Sequence, residues 1–248
     1  MAECHAIFVG QQVADDEVEA AGSGLQRQCV GPAIAGFDDF SGRNGGIDGA
    51  KRALEDGAFS AIGQGEVAAT PIQLANMTAA IANRGFFYTP HLIKKIGDRE
   101  IEDPKYTQRK YTTIDAEHFE PVIQGMAEVY KKGTAQWLQV PGVEIAGKTG
   151  TVENYTRIEG VRTQLTDHSL FIAFAPVNNP RIALAVYIEN GYYGARYAGH
   201  IASLLIEKYL KGEITRKDLE KRMLEKTLEH EYAKPYSGEE FKINEYVW

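Results

Sequence analysis

The sequence has no apolar run approaching a membrane span, only two cysteines, and no surplus of basic residues. The first absence excludes a transmembrane helix, which needs about 20 consecutive apolar residues. The formal net charge of −7 removes the electrostatic footing for nucleic-acid binding. Cys4 and Cys29 have only His5 near them as a further ligand type. That is too little for a metal site, so they read as free thiols, with nothing to indicate a disulfide. Neither a metal nor an organic cofactor is expected. The start Met1-Ala-Glu-Cys-His-Ala-Ile-Phe-Val holds a short apolar stretch behind an acid, a poor secretion signal.

What is present is ordinary for a soluble globular protein: 248 residues, 44% of them hydrophobic, enough for one large domain or two small ones. The charge is unevenly spread. Residues 1–57 contain ten acids against four bases, a single lysine, and neither Tyr nor Trp. Gly and Ala are frequent there and periodicity is poor, so a core built from this segment alone would be thin.

Downstream the patterns sharpen. Thr70-Pro71-Ile72-Gln73 is a helix start, with an N-cap threonine, an N1 proline and a capping-box glutamine. Leu74, Met77, Thr78 and Ile81 continue at helical spacing as a core stripe up to Gly85. Phe86 to Ile96 reads as a strand or hairpin arm, and the mixed charges after it as a solvated face. Residues 115–132 predict a helix with Phe119, Val122, Ile123, Met126 and Tyr130 on one side. Val143 to Val152, His168 to Ala175 and Arg181 to Glu189 predict strands, the last two joined as an antiparallel hairpin through Val177–Pro180. Ala195 to Leu210 predicts an amphipathic helix with Ile201, Leu204, Leu205 and Tyr209. A charged helix, Arg216 to Glu231, follows, with Thr215 as its cap and Leu219, Met223, Leu224 and Leu228 along one edge. The fold class is α+β, an antiparallel sheet covered by helices.

The most informative stretch is Gly147-Lys148-Thr149-Gly150-Thr151. A lysine charge, two hydroxyl donors and glycines that admit close approach make a small anion-recognition device. Two motifs share these letters. Gly142 to Thr149 matches the P-loop pattern G-x-x-x-x-G-K-[ST]. A phosphate loop, however, needs a strand before its first glycine and a helix opening at the lysine. Here Pro141-Gly142 is a turn, Val143-Glu-Ile-Ala146 are strand residues, and no helical period follows Thr149. The other motif is the Lys-Thr-Gly strand of penicillin-reactive serine acyl-transferases.

The rest of the chain bears on the choice. Ser60-Ala-Ile-Gly-Gln-Gly-Glu66, Thr70-Pro71-Ile-Gln73, Gly125-Met126, Gly133-Thr134-Ala135, Asp167-His168-Ser169-Leu-Phe171, Phe174-Ala-Pro176, Asn178-Asn179-Pro180 and Glu189-Asn190-Gly191 occur in this order. Over residues 58 to 212 the sequence resembles class B penicillin-binding proteins, in particular the penicillin-binding protein 2-like peptidoglycan D,D-transpeptidases. The resemblance implies a partial transpeptidase domain, with residues 213–248 as a C-terminal helix and tail. It also implies that Lys148, Thr149, Gly150 and Thr151 bind the carboxylate of a stem peptide or β-lactam, and that the Thr151 amide is one oxyanion donor. Cell-wall elongation proteins would be the partners and the cell envelope, at the periplasmic face of the inner membrane, the location. Members normally carry an N-terminal membrane anchor, which has no counterpart in this sequence.

Two positions depart from the family pattern. Tyr192 stands where a second glycine is common, and Gly199-His200 where Ala-Pro is common. A larger departure is the nucleophile. The family uses Ser-x-x-Lys and Ser-x-Asn, and none of Ser23, Ser41, Ser60, Ser169, Ser203 and Ser237 has a lysine three residues on. Ser41-Gly-Arg-Asn44 has one residue too many for the second motif. No catalytic residue is therefore assigned, and a non-catalytic module that binds muropeptide or a partner is the alternative reading. Asp167-His168 reads as a structural pair, His200 as a packed histidine, and Lys211 as a surface lysine. Residues 1–57 do not resemble the family. They read as a divergent or disordered tail, a mistranslated frame joined near Ala58, or an unrelated domain, and the abrupt onset at Ser60 favours the second.

Overall fold

The computed structural model describes residues 5–11, 69–91, 95–158 and 161–232. In chain order the elements are β1 (His5–Gln11), α1 (Pro71–Ala82), β2 (Phe86–Phe87), β3 (Lys95–Ile96), β4 (Arg99–Glu100), α2 (Pro104–Thr107), β5 (Lys110–Tyr111) and α3 (Phe119–Lys131). There follow β6 (Ala146–Val152), β7 (Tyr155–Ile158), β8 (Val161–Gln164), β9 (His168–Ala175), β10 (Ile182–Ile188), α4 (Ala198–Lys211), α5 (Lys217–Leu224) and α6 (Glu229–Tyr232). The readings of Ser60–Glu66, of the two cysteines and of the tail from Lys234 fall outside the described residues.

Four strands form the central sheet in the order β1-β10-β9-β6. β10, β9 and β6 are antiparallel, as the α+β reading requires, and β1 adds a parallel edge beside β10. Residues 5–11 thus belong to this sheet. Strand alternation sorts the core into two halves. Phe171, Ala173, Leu184 and Val186 face Ala198, Ala202 and Ile206 of α4. Phe174, Ala183 and Ala146 face Ala79 and Ala82 of α1 and Phe119, Ile123 and Met126 of α3. Helices on both faces explain why β10, Ile-Ala-Leu-Ala-Val-Tyr-Ile, reads as a continuous apolar run and not as an alternation.

α1 begins as its sequence predicts: Gln73 Oε1 accepts from the Thr70 N–H at 2.7 Å and from its hydroxyl at 2.9 Å. It ends at Asn83, before Arg84 and Gly85, both at positive φ. Its buried face differs from the expected stripe. Ala75, Thr78, Ala79 and Ala82 are buried, whereas Met77 is 45% exposed. Small residues let the helix backbone approach the sheet, which pushes the larger apolar side chains to the flanks. Val122 of α3, Tyr209 of α4 and Leu224 also point outward.

Within the strand or hairpin arm expected over Phe86–Ile96, the described residues form two short strands, β2 paired with β5 and β3 paired with β4, and a further hairpin joins β7 and β8. The long terminal helix is two pieces, α5 and α6. Thr215 does not cap α5. Its hydroxyl donates to Glu207 Oε1 at 2.5 Å, because Glu207 is a fully buried acid on α4 and takes every donor within reach. Arg216 Nε donates to Glu207 Oε2 at 2.9 Å, and Nη2 to the Ser203 carbonyl at 2.9 Å. This buried ion pair fastens the start of α5 to α4.

Candidate functional site

Lys148, Thr149, Gly150 and Thr151 lie consecutively on β6, which ends the sheet. Among the described residues β9 is its one partner strand, so β6 is an end strand of the sheet. The register fixes the faces. Thr149 stands opposite Phe171 and Thr151 opposite Ser169, on the α4 side, while Lys148 stands opposite Ile172, on the α1–α3 side. Lysine and threonines therefore project from opposite faces of an edge strand.

Lys148 is exposed, and its Nζ curls back to donate to the Thr149 carbonyl at 2.7 Å. The Thr149 hydroxyl lies 3.0 Å from the hydroxyl of Thr134, on the turn after α3. Thr134 belongs to the Gly-Thr-Ala segment that carries part of the family resemblance, but its contact with Thr149 is not written in the sequence. Gly147 is needed where β6 enters the core: a Cβ there would fall 2.8 Å from the Ile172 carbonyl and 3.0 Å from the Tyr130 ring.

The loop between β10 and α4 closes the other end. The Gly194 N–H donates to Thr151 Oγ1 at 3.4 Å. Ser169, fully buried opposite Thr151, donates to the Tyr193 carbonyl at 3.1 Å and accepts from the Ala198 N–H at 3.2 Å. Ser169 is thus a tie between sheet and helix and not a nucleophile. Tyr192 has φ +66°, which explains why glycine is common at this position. At Gly199 an added Cβ would run into Leu138 Cδ1, so this chain's glycine fits its own packing.

Asp167 and His168 do not form an acid–base pair. Asp167 Oδ1 accepts from the Asn154 N–H at 3.3 Å and from Gln164 at 3.0 Å, and His168 Nδ1 accepts from the Asn190 N–H at 3.1 Å. Burial pushes the His168 imidazole below its ordinary range, against the pull of Glu189 and Asp167. Asn154 donates to the Thr166 carbonyl and to Asn190 Oδ1, anchoring the β6–β7 turn. His200 Nδ1 faces the carbonyls of Ala195 and Arg196 at 3.0 and 2.8 Å, in the first turn of α4. Among the described residues no three His, Cys, Asp or Glu side chains gather as a metal site.

No helix opens at Lys148; the strand runs through it, so the backbone geometry of a phosphate loop is not formed. Residues 32–207 match the family described as penicillin binding protein transpeptidase domain. The chain belongs to this family. The match begins at residue 32, so residues 32–57, expected to lie outside the family, belong to the matched span. A relative is the peptidoglycan D,D-transpeptidase MrdA of Acinetobacter baumannii, 35% identical over 169 residues, covering 63% of this chain and 24% of the relative. Penicillin-binding protein A from M. tuberculosis, solved as an imipenem acyl-enzyme complex, is 33% identical with a TM-score of 0.50, over 61% of this chain and 33% of that one. Pseudomonas aeruginosa PBP2 in complex with WCK 5153 is 33% identical with a TM-score of 0.51, over 65% and 34%. The chain thus spans about a quarter to a third of the length of these relatives, as part of a class B penicillin-binding transpeptidase domain. No helix of the described residues is long and apolar enough to cross a membrane.

Proposed function

We propose that this chain carries the carboxylate clamp of a peptidoglycan D,D-transpeptidase domain and lacks the acylated serine. The carrying observation is the Lys-Thr-Gly-Thr run on β6, an end strand of the sheet among the described residues, with Lys148 on one face and Thr149 and Thr151 on the other. An extended D-Ala-D-Ala peptide laid along that strand pairs with the backbone, and its terminal carboxylate meets the lysine charge and the threonine hydroxyls. A β-lactam presents the same carboxylate. The Thr151 amide serves as one oxyanion donor.

In the complete reaction a serine oxygen bonds to the penultimate D-Ala carbonyl carbon. The peptide bond to the terminal D-Ala breaks, and its nitrogen leaves protonated. An amine from a neighbouring stem peptide then displaces the serine oxygen. The six serines of this chain supply no Ser-x-x-Lys for the first step. The working context is the cell envelope, at the periplasmic face of the inner membrane, with cell-wall elongation proteins as partners. The serine census equally supports a binding module without turnover.

Two measurements test this. Titration of the chain with an N-acylated D-Ala-D-Ala peptide, followed by amide NMR, is expected to move Lys148 to Thr151 first. Shifts confined to other elements, or none at millimolar peptide, overturn the clamp. Incubation with a fluorescent penicillin and a denaturing gel is expected to give no labelled band. A hydroxylamine-sensitive band would reveal a nucleophile among the six serines or elsewhere.

A further inference from the structure

Beyond the matched span, α6 sets one buried acid against the rim of this site. Glu231 is 8% exposed, and its Oε2 accepts from Thr166 Oγ1 at 2.5 Å. Its Oε1 accepts from the Tyr192 hydroxyl and lies 3.0 Å from His230 Nε2. Tyr192 is the residue that replaces the family's second glycine, and it keeps the left-handed backbone that glycine adopts without strain. Its surroundings hold it there. The Arg196 guanidinium sits 4.1 Å over the ring, the Tyr192 N–H donates to the Asp167 carbonyl at 2.9 Å, and the hydroxyl is held by Glu231. Two residues on, Gly194 touches Gly150 and Thr151. The tyrosine and the C-terminal acid, each outside the family pattern, are thus parts of one contact.

We propose that Glu231 is a positioning residue for the Lys148–Thr151 strand: through Tyr192 it holds the β10–α4 loop so that Gly194 stays seated on Gly150 and Thr151. Its significance for substrate rests on reading that strand as the carboxylate clamp; the seating itself is a property of the fold. Breaking the contact frees a loop whose strained residue has lost its anchor, and the local opening reaches the Thr151 end of the strand first.

The test uses the 248-residue chain. Amide hydrogen exchange is measured for the parent, Glu231→Ala, Glu231→Gln, Tyr192→Phe and the double variant Tyr192→Phe/Glu231→Ala. Local opening accelerates exchange at Gly194, whose N–H is held by Thr151 Oγ1, by about tenfold in Glu231→Ala and Tyr192→Phe, with Phe174 and Leu184 unchanged. The double variant goes no further than Glu231→Ala alone, because that substitution already removes the acceptor of the Tyr192 hydroxyl. Glu231→Gln keeps an acceptor and restores most of the protection. Unchanged exchange at Gly194 in both single variants overturns the proposal, as does uniform acceleration at every amide. Titration with the N-acylated D-Ala-D-Ala peptide separates the two readings. If the exchange pattern appears but the parent binds no peptide, the positioning stands and the clamp reading falls.

Discussion

Gly194 rests on the backbone of Gly150: a Cβ placed on Gly194 would fall 2.5 Å from the Gly150 carbonyl oxygen and 2.7 Å from its amide nitrogen. Both neighbours are backbone within a paired strand, so neither can give way cheaply. Gly194→Ala is therefore expected to destabilise the chain by about 1–3 kcal/mol, the usual range for overpacking, and to displace the Gly150 and Thr151 amide resonances. Gly125→Ala is the contrast. Gly125 lies exposed on α3 with nothing within 4 Å of an added Cβ, so alanine should stabilise by about 0.5–1 kcal/mol. Urea denaturation of both variants checks the pair; equal effects would mean that the β10–α4 loop moves aside freely.

Lys148→Ala should weaken binding of the D-Ala-D-Ala peptide by about ten- to a hundred-fold, since hydrogen bonds to charged groups contribute about 1.5–3 kcal/mol. The melting temperature should not change, because the lysine is exposed. Thr149→Val removes one neutral hydroxyl and should cost less, about two- to tenfold. Lys211 is not the surface control that its sequence suggests: its Nζ lies 3.7 Å from the buried Glu207. Lys221, with a side chain 73% exposed, serves instead. Calorimetry on the four proteins decides, and equal affinity for parent and Lys148→Ala would remove the lysine from recognition.

The Glu207–Arg216 pair should show as acid-dependent stability. Burial alone would raise the Glu207 carboxyl, but the Thr215 hydroxyl and Arg216 guanidinium outweigh it and hold it below its ordinary value of 4.5. A carboxyl lowered on folding contributes stability that is present above the unfolded value and lost as pH falls through the folded one. Parent stability should therefore decline as pH falls below about 4.5. Glu207→Gln should lack that component of the slope while starting lower at pH 7. Arg216→Met leaves a buried acid without its main partner and should cost about 3–5 kcal/mol. Urea titrations between pH 3 and 7 give both numbers.

Binding of ATP with Mg²⁺ should be undetectable by calorimetry at micromolar protein. β6 is a strand through Lys148, so no helix N-terminus faces a phosphate there. Micromolar binding that Lys148→Ala abolishes would overturn this.

Much of the molecule was legible before any coordinate. Thr70-Pro71 and Gln73 mark the start of α1, and the hairpin of β9 and β10 falls where Val177–Pro180 interrupts two apolar runs. These signals are local: a cap, a turn, a period of two. Of the stripe expected on α1, Thr78 is buried and Ile81 packs against the core, whereas Met77 turns outward. Met77 is larger than Ala79, but only the alanine side can approach β10. The split of the last helix and the role of Thr215 were hidden because the deciding partner, Glu207, lies on another element.

The order of letters alone determined that Lys148, Thr149 and Thr151 stand together on a strand and that none of the six serines precedes a lysine by three. Only the tertiary structure decided what that strand faces. Pairing with β9 makes it an end strand among the described residues and assigns Lys148 and the threonines to opposite faces. Packing sets Thr134, Gly194 and, through Tyr192, Glu231 around it. Motif and propensity act over a few residues and are written in the chain. Glu231 and Tyr192, by contrast, are 39 residues apart, and contacts over such separations exist only once the sheet and helices have closed on one another.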